Sequence, residues 1–430
     1  MSANSLDQML LDGKISIVDY SCELIGGQVA RAKEKKASYL WTLEAQYTMW
    51  TNIRDAHKNG KKVVWFGGII PTELLAAFDC VPVYLDVAPI RLSPSPELAG
   101  KFIDEAHKYC PSTMCGLDAI ELGMTVLDQF GDKPDAFIYS AVPCDSSRTA
   151  YPAMQKLLGV PTFIVDYPYR RDERGIQYLS DQTEKLIEFM EELTGEKLDW
   201  EKFKHYMGNA NRCFDLQIKN ANLRKHKPCP LPGRFLVMNS AINAMSYTEE
   251  MGNLLETEYK LGCALVEKGV SACPGGERHR AAFLQDMLWS SAGTLDWLET
   301  QYGTSVVMDT FGFQHGDFYE HMDDRKDCLR TMAKKQQNDP MIHGAAGPTE
   351  NYKYLVNELF EEYEPDVSIF MGHIGCKHTW ASAKIITDMV QEKFGLPTLY
   401  IDVDGVDGRY KTNEDIKSQI SEYMDTVVNG

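Results

Sequence analysis

The chain has 430 residues, of which 44% are hydrophobic and 25% charged, and its formal net charge is −18 at pH 7. A chain of this length exceeds one compact domain, so two or three domains are expected. The strong negative charge, with no long basic run to offset it, argues against a nucleic-acid-binding protein. It does not argue against an anionic small ligand, which needs only a local basic pocket or a helix N-terminus.

The N-terminus and the cysteines indicate the cellular compartment. The opening residues, MSANSLDQMLLDGK, lack a basic region followed by an apolar core, so a signal peptide is not expected. No run of about 18 apolar residues is present, so no membrane span is expected. Eleven cysteines without a secretory signal indicate a reducing, cytoplasmic environment, where they are thiols or metal ligands rather than disulfides. The paired CxxC spacing of common zinc sites is absent.

The first part of the chain reads as helices followed by an α/β unit. Residues 1–60 have apolar residues at helical spacing and predict a helical N-terminal segment. Residues 62–66 (KVVWF) predict a buried strand, and residues 71–78, which begin Pro-Thr-Glu, predict a helix. A second strand is predicted at residues 81–85. This βαβ order predicts a first α/β domain over residues 61–170.

A helical middle region is predicted over residues 171–300. Its predicted helices are Asp181 to Leu193, Trp200 to Met207, Asn211 to Lys225, Ala241 to Glu267 and one within Glu277 to Gln301. Residues 225–233 (KHKPCPLPG) hold three prolines and a glycine, which predicts a linker. A strand at Ser305 to Met308 starts a second α/β domain, predicted over residues 301–430.

One sequence pattern occurs in both predicted α/β domains. Residues 135–166 and 366–402 each run Asp, apolar strand, turn, cysteine, helix, Gly-x-Pro-Thr, apolar strand, Asp. The cysteines are 376 − 144 = 232 positions apart, and the Gly-x-Pro-Thr segments are 395 − 159 = 236 apart. This nearly constant offset predicts two similar flavodoxin-like or Rossmann-like domains with parallel sheets. Each cysteine would lie where a strand passes into a helix, at the edge where open α/β sheets bind ligands.

Three cysteines are therefore candidate metal ligands. Cys144 and Cys376 belong to the repeated pattern, and Cys115 begins a predicted helix, CGLDAIELG, ahead of the first copy. Thiolates from three loops could meet in the cleft between two domains, and three cysteines with an open fourth position suit an iron–sulfur cluster with one exposed iron. The alternative is that all three are buried core cysteines, which are common.

Six segments in a fixed order carry a resemblance to a known family. They are KVVWFGGIIPTELLAAF (62–78), CGLDAIELG (115–123), AFIYSAVPC (136–144), GERHR (276–280), GHIGCKH (372–378) and GLPTLYIDVDGVDGR (395–409). Together they resemble the two-subunit 2-hydroxyacyl-CoA dehydratases and the related ATP-dependent benzoyl-CoA reductases, over nearly the whole chain. The resemblance implies a [4Fe-4S] cluster held by Cys115, Cys144 and Cys376. Cys110, 115 − 110 = 5 residues earlier, is the alternative to Cys115.

The resemblance also implies a reaction and its partners. The chain would be one subunit of a heterodimer that removes water from an (R)-2-hydroxyacyl-CoA to give an enoyl-CoA. A separate ATP-hydrolysing activator with its own cluster would inject one electron, and the thioester would react as a ketyl radical anion. No Walker sequence is present in this chain, so ATP is expected to bind the activator only. The second, homologous subunit would complete the active site.

Other side chains have both a functional and a structural interpretation. Glu73, in the first turn of its predicted helix, is a candidate acid or base, or a carboxylate stabilised by the helix dipole. His373 and His378 flank Cys376 and could donate hydrogen bonds to cluster sulfurs or to the thioester, or they could be structural. The charged GERHR segment (276–280) could contact CoA phosphates or be a solvated helix start.

Three alternatives to the dehydratase interpretation stay open from the sequence. One is a subunit of a benzoyl-CoA-type reductase, in which the same parts leave the electrons in the ring. Another is a homodimeric, double-cubane iron–sulfur protein that carries electrons. The third is an α/β binding protein without a metal. The sequence does not identify the acyl group or exclude a bound flavin.

Overall fold

Two parallel four-stranded sheets organise the chain in the computed structural model, which describes residues 3–429 except 38, 141, 143, 241–242, 286–288, 292 and 313–315. The first sheet holds β1 (Val63–Gly67), β2 (Val81–Tyr84), β3 (Ala136–Ser140) and β4 (Thr162–Val165), in the order β2-β1-β3-β4. The second holds β5 (His279–Phe283), β6 (Thr304–Asp309), β7 (Val367–His373) and β8 (Thr398–Val403), in the order β6-β5-β7-β8. All neighbouring strands are parallel. The predicted α/β fold with two similar parallel-sheet domains is confirmed.

Helices surround both sheets. Along the described chain, the α-helices are α1 Ala3–Leu11, α2 Ile17–Glu34, α3 Leu40–Asp55, α4 Thr72–Ala77, α5 Val87–Leu92, α6 Pro96–Ala106, α7 Gly116–Val126, α8 Ser147–Leu158, α9 Glu173–Thr194, α10 Trp200–Leu223, α11 Arg234–Ser240, α12 Glu249–Glu267, α13 Gly293–Tyr302, α14 Arg325–Asn338, α15 Thr349–Tyr363, α16 Lys377–Phe394 and α17 Asn413–Tyr423. Short 3-10 helices occupy His57–Asn59, Asn243–Met245 and Trp289–Ser291, and π-helical turns occupy Met341–Ala345 and Met424–Val428. None of the described helices has the length and apolar composition needed to cross a membrane.

The inner strands of each sheet, β1 and β3 in the first and β5 and β7 in the second, are buried on both faces, as is usual in parallel sheets. On one face of the first sheet, Trp65 and Phe137 pack into the cluster formed with the N-terminal helices and with α6 and α7. On the other face, Phe66 and Ile138 pack into a cluster that includes Phe203 of α10. That cluster also contains residues of α14, which follows the second sheet's β6 in the chain. Helices from the middle and the second half of the chain therefore complete the core of the first sheet.

The middle of the chain differs from the prediction at two places. Residues 200–223 form the single helix α10, and Gly208 does not interrupt it, because the helix packs along α12 and α4. Strand β5 lies within residues 277–301, where the sequence predicted only a helix; the helix there is α13. The strand was missed because only Ala281, Ala282 and Phe283 are apolar in it, a run too short to distinguish by periodicity.

Arg280, in β5, has a structural role. Arg280 is 5% exposed, lies 3.0 Å from the Glu277 carboxylate, and donates to the backbone carbonyls of Tyr363, His226 and Arg224. Its guanidinium thus ties β5 to the end of α15 and to the linker. The prediction of a solvated helix start at this segment was wrong, and Arg280 is not accessible to a CoA phosphate.

Candidate functional site at the junction of the two sheets

The three candidate cysteines gather where the two domains meet. Cys115 immediately precedes α7, Cys144 follows β3, and Cys376 immediately precedes α16. A charge on Cys144 would raise the pKa of Cys115, and a charge on Cys376 would raise the pKa of Cys144, so the three thiols lie within electrostatic range of one another. A Cβ atom added to Gly375 would lie 2.4 Å from Cα of Cys115, so the third loop runs directly against the first cysteine.

A histidine from the second domain contacts the cysteine from the first. Nε2 of His373, at the end of β7, lies 2.9 Å from Sγ of Cys115. Nδ1 of the same ring accepts the backbone N–H of Gly405 at 3.1 Å. Because Nδ1 is an acceptor, the ring proton is on Nε2, which donates to the sulfur. The backbone N–H of Cys115 in turn donates to Oγ of Ser146, two residues beyond Cys144, at 2.9 Å.

Burial sets the protonation of the thiols in the absence of a metal. It is the main cause that raises the pKa of both Cys115 and Cys144 well above the usual range. A thiol in this environment is a poor nucleophile, since the thiolate is the reactive form. A bound metal reverses this preference, because a coordinating thiol is deprotonated. The site therefore fits metal ligation better than nucleophilic catalysis.

Three cysteine thiols from three loops are a donor set that suits an iron–sulfur cluster with one open iron. Among the residues that the structure describes, no group of three or more His, Cys, Asp or Glu side chains is placed to hold one metal ion. In a [4Fe-4S] cluster each cysteine ligates a different iron, so the sulfurs stand farther apart than ligands of one ion. Three neighbouring thiols, one of which already accepts a hydrogen bond, are suitable ligands for such a cluster.

The structure separates Cys110 from this group. Its thiol donates to the backbone carbonyl of Ala106, in the last turn of α6, at 3.1 Å. Cys115 rather than Cys110 contacts the loop that carries Cys376. This placement favours Cys115 as the ligand from that part of the chain.

A cavity of about 330 Å³ lies between the carboxyl ends of the strands of the two sheets. Four residues that line the cavity show this position. Phe66 and Met308 are the penultimate residues of β1 and β6, Asp86 follows β2, and Leu117 lies two residues after Cys115. Residues of α10, α11 and α12 also line the cavity, with apolar contributions that include Phe235, Leu236 and Leu255. The polar side chains that line it include Asp86, Asn220, Arg224, Glu258, Asp309 and Asp339. The cavity thus combines an apolar body with a few polar groups, as small-molecule sites do.

Glu73 lies in a buried polar cluster beside the cavity. Its carboxylate accepts a hydrogen bond from the Tyr319 hydroxyl at 2.7 Å, and Nζ of Lys335 is 3.9 Å away. Its neighbour Thr72 lines the cavity, whereas Glu73 is not among the described lining residues. The catalytic role of Glu73 therefore stays a prediction. Its two partners in the structure, Tyr319 and Lys335, come from the second half of the chain.

A second cavity adjoins the loop of Cys376. It has a volume of about 410 Å³ and is lined by residues that include Asp145, Lys377, His378 and Thr349. Nζ of Lys377 lies 3.1 Å from the Asp145 carboxylate and joins the second cysteine loop to the third. Burial lowers the pKa of His378, so its ring is neutral at physiological pH. His378 faces this cavity, whereas His373 contacts the cysteines.

Sequence reasoning missed three acidic residues near the cysteines. Asp86 lines the cavity, Glu121 is fully buried, and burial raises the pKa of Asp118 to about 7. The hydroxyls of Tyr84 and Tyr151 interact with Asp86 and Glu121. Only Asp86 had a usable signal, because it directly follows a predicted strand and so lies at the ligand-binding edge of the sheet.

Named relatives of the chain span most of its length. The alpha subunit of (R)-phenyllactyl-CoA dehydratase from Clostridium sporogenes is 24% identical over 304 residues, 68% of this chain and 74% of the relative. The alpha subunit of lactoyl-CoA dehydratase from Anaerotignum propionicum is 20% identical over 83% of this chain and 89% of the relative. One of the subunits of benzoyl-CoA reductase from Thauera aromatica is 20% identical over 86% of this chain and 90% of the relative.

The match to a protein family covers most of the chain rather than one short motif. The family described as 2-hydroxyglutaryl-CoA dehydratase, D-component, matches residues 69–427. This range includes both parallel sheets apart from β1, all three neighbouring cysteines and the residues that line the cavity from Ile69 onward. The chain belongs to the 2-hydroxyglutaryl-CoA dehydratase D-component family.

Proposed function

We propose that this chain is one subunit of an iron–sulfur 2-hydroxyacyl-CoA dehydratase, which converts an (R)-2-hydroxyacyl-CoA into an enoyl-CoA. The observation that carries the proposal is the meeting of Cys115, Cys144 and Cys376 beside a cavity at the carboxyl ends of two parallel sheets. The names of the relatives support the same reaction class.

Cys115, Cys144 and Cys376 would hold a [4Fe-4S] cluster. When bound, such a cluster supplies a one-electron redox centre and, through an iron without a protein ligand, a Lewis acid. The chain's own residues prepare the site. His373 orients Sγ of Cys115 and stabilises negative charge on it. Burial of Cys115, which is 7% exposed, keeps water from the sulfur.

The cavity would bind the acyl end of the substrate. Its apolar walls and its polar groups are suited to a short acyl chain with a hydroxyl group. The β-hydrogen of such a thioester is only weakly acidic, so simple elimination is slow. In the proposed reaction one electron from an ATP-dependent activator turns the thioester into a ketyl radical anion. This radical anion expels the 2-hydroxyl group, and its β-proton then becomes acidic enough to be removed.

The proposed enzyme needs two protein partners in the cytoplasm. One is a second, homologous subunit, because relatives of this chain are named alpha subunits. The other is the iron–sulfur activator that hydrolyses ATP. In the sequence of this chain no Walker motif provides an alternative ATP site.

Iron and acid-labile sulfide per chain test the cluster directly in anaerobically purified protein. We expect about four of each in the parent chain, and their loss in Cys144→Ala and Cys376→Ala. Cys110→Ala is the matched control and should keep both, because its thiol binds a carbonyl of α6. A colourless parent protein without iron would contradict the cluster. About eight iron atoms would support the double-cubane electron carrier instead.

A benzoyl-CoA-type reductase is the second candidate function, since the match to a benzoyl-CoA reductase subunit covers 86% of this chain. The product decides between the two. The reduced, activated complex should release an enoyl-CoA and water from a 2-hydroxyacyl-CoA, and it should leave benzoyl-CoA unchanged. Ring reduction of benzoyl-CoA without dehydration would favour the reductase.

A further inference from the structure

Asp86 presents a carboxyl group to the cavity at the carboxyl edge of the first sheet. It follows β2 directly after Leu85, and it lines the cavity. The Tyr84 hydroxyl donates to Oδ2 of Asp86 at 2.5 Å. The Tyr84 ring stacks on Phe66, the penultimate residue of the adjacent strand β1, with ring centroids 5.2 Å apart. The donor to Asp86 is therefore held in place by the sheet itself.

Glu121 lies behind Asp86, on α7, with no exposed surface. Its polar neighbours are the Asp86 carboxyl and the Tyr151 hydroxyl, yet neither Glu121 oxygen makes a well-aligned hydrogen bond. The Tyr151 ring is fixed against β1, because a Cβ on Gly67 would lie 2.3 Å from it. Glu121 is thus a buried acid whose hydrogen-bonding capacity is not met by its surroundings, which is costly and rare.

Burial opposes the simultaneous ionisation of two adjacent carboxyl groups. Burial and the adjacent Asp86 raise the pKa of Glu121 well above its usual range, and Asp118 adds to the effect. When like charges meet in a buried site, the two groups hold one proton between them and titrate as a pair. After that proton leaves, the doubly charged pair is a strong base.

We propose that Asp86 and Glu121 share one proton and act together as the acid and base of the cavity. Asp86 would contact the substrate and exchange the proton, and Glu121 would hold it inside the protein. This inference rests on the proposed dehydratase function, to which it adds two residues. It does not use Glu73, whose carboxylate is bound by Tyr319 and faces Lys335.

The pair suits dehydration because it gives one proton to the leaving hydroxyl group and receives one proton from the β-carbon. The 2-hydroxyl leaves with the electrons of its C–O bond and takes the shared proton, so that water is formed. The β C–H bond then breaks, its electron pair stays with the substrate, and the proton returns to Asp86. The product radical anion finally gives up the electron that the activator supplied, which would return to the one-electron centre that Cys115, Cys144 and Cys376 would hold. The net change is the loss of one water, and the pair is restored.

Infrared spectra of the assembled enzyme test the shared proton without substrate. A protonated buried carboxyl gives a C=O band that shifts in D₂O, and we expect this band to be lost in Glu121→Gln and shifted in Asp86→Asn. Glu299→Gln is the matched control. It alters a buried carboxyl of the second domain that accepts the Gly233 N–H at 2.6 Å, and it should leave the band of the pair unchanged.

Turnover of the 2-hydroxyacyl-CoA that the parent enzyme accepts tests the role of the pair. We expect kcat to fall at least about 100-fold in Asp86→Asn and about 10-fold in Glu121→Gln, with iron content unchanged. A band that survives in Glu121→Gln, or turnover within about twofold of the parent in both variants, would overturn the inference. If the parent enzyme dehydrates no acyl-CoA, the proposed function fails, and the infrared band decides separately whether the carboxyls share a proton.

Discussion

Nε2 of His373 lies 2.9 Å from Sγ of Cys115, although 373 − 115 = 258 positions separate the two residues. The ring is 3% exposed, and Gly405 fixes its tautomer by donating to Nδ1. A charge-assisted hydrogen bond of this kind favours a thiolate over a neutral thiol. The second domain therefore contributes a donor to the first cysteine as well as a cysteine of its own.

Replacing His373 by Gln should weaken cluster binding without unfolding the protein. Loss of a hydrogen-bond partner of a metal ligand typically costs about 10–100-fold in metal affinity or activity. We expect iron to be lost to a chelator correspondingly faster, while the circular dichroism spectrum stays that of the parent. His279→Gln, at the opposite end of the second sheet, is the control and should retain iron as the parent does. Equal retention in both variants would contradict a role for the His373 contact.

Gly375→Ala should push the two domains apart at the cysteines. The new methyl group would lie 2.4 Å from Cα of Cys115, and backbone atoms cannot move as a side-chain end can. We expect the free energy of unfolding to fall by about 1–3 kcal/mol, and iron content to fall with it. Gly208→Ala is the matched control: it lies inside α10 with no atom within 4 Å of the new group, and should stabilise the chain by about 0.5–1 kcal/mol. Urea unfolding of all three proteins measures both effects.

Asp339 should make stability fall as the pH rises through about 6. Burial raises the pKa of Asp339 from 3.8 to about 6. The folded state therefore binds this proton more tightly than the unfolded state, and the resulting stabilisation is complete below pH 3.8 and lost as the pH rises to about 6. The shift corresponds to about 3 kcal/mol at most. In Asp339→Asn this part of the pH dependence should disappear from chemical unfolding curves; an unchanged curve would show that the side chain is not buried as described.

Arg280→Ala should destabilise the second domain strongly. The change leaves Glu277, which has an 8% exposed side chain, and several carbonyls without their donor. Loss of one partner from a buried ion pair typically costs about 3–5 kcal/mol. Arg278→Ala removes an exposed arginine two residues earlier and should cost much less. Similar melting temperatures for the two variants would contradict the structural role of Arg280.

The sequence predicted the parts of the fold that local patterns determine. β1, β2 and β6 are runs of apolar residues beside glycine or proline signals, and the repeated pattern correctly paired β3 and β4 with β7 and β8. β5 was missed because its apolar run is only three residues long, and Arg280 within it is buried largely by carbonyl groups that are distant in sequence. The packing of α14 on the first sheet also could not be predicted, because it depends on long-range contacts and leaves no pattern in the local sequence.

The candidate site was predictable where one residue type implies one chemistry. The repeated pattern pointed to Cys144 and Cys376, Cys115 was added as the start of a predicted helix, and the family resemblance favoured it over Cys110. The tautomer of His373 depends on Gly405, which is close only in the folded chain. The same holds for Glu121, whose helix gives no sign that its acidic face lies against Asp86. The sequence therefore indicated which residue types could act in the site, but it did not predict the contacts between side chains on different helices and strands.

Because the three proposed cysteine ligands come from both domains, 376 − 115 = 261 positions apart at the extremes, a nascent chain could not bring them together early. Neither domain alone carries the full set, so cluster insertion would have to wait until the second sheet has folded and docked. Iron incorporation would then report on the maturation of the whole polypeptide. A truncated chain, or one whose domains have not docked, would bind no cluster. The absence of iron would distinguish it from a folded chain that can associate with its partner subunit.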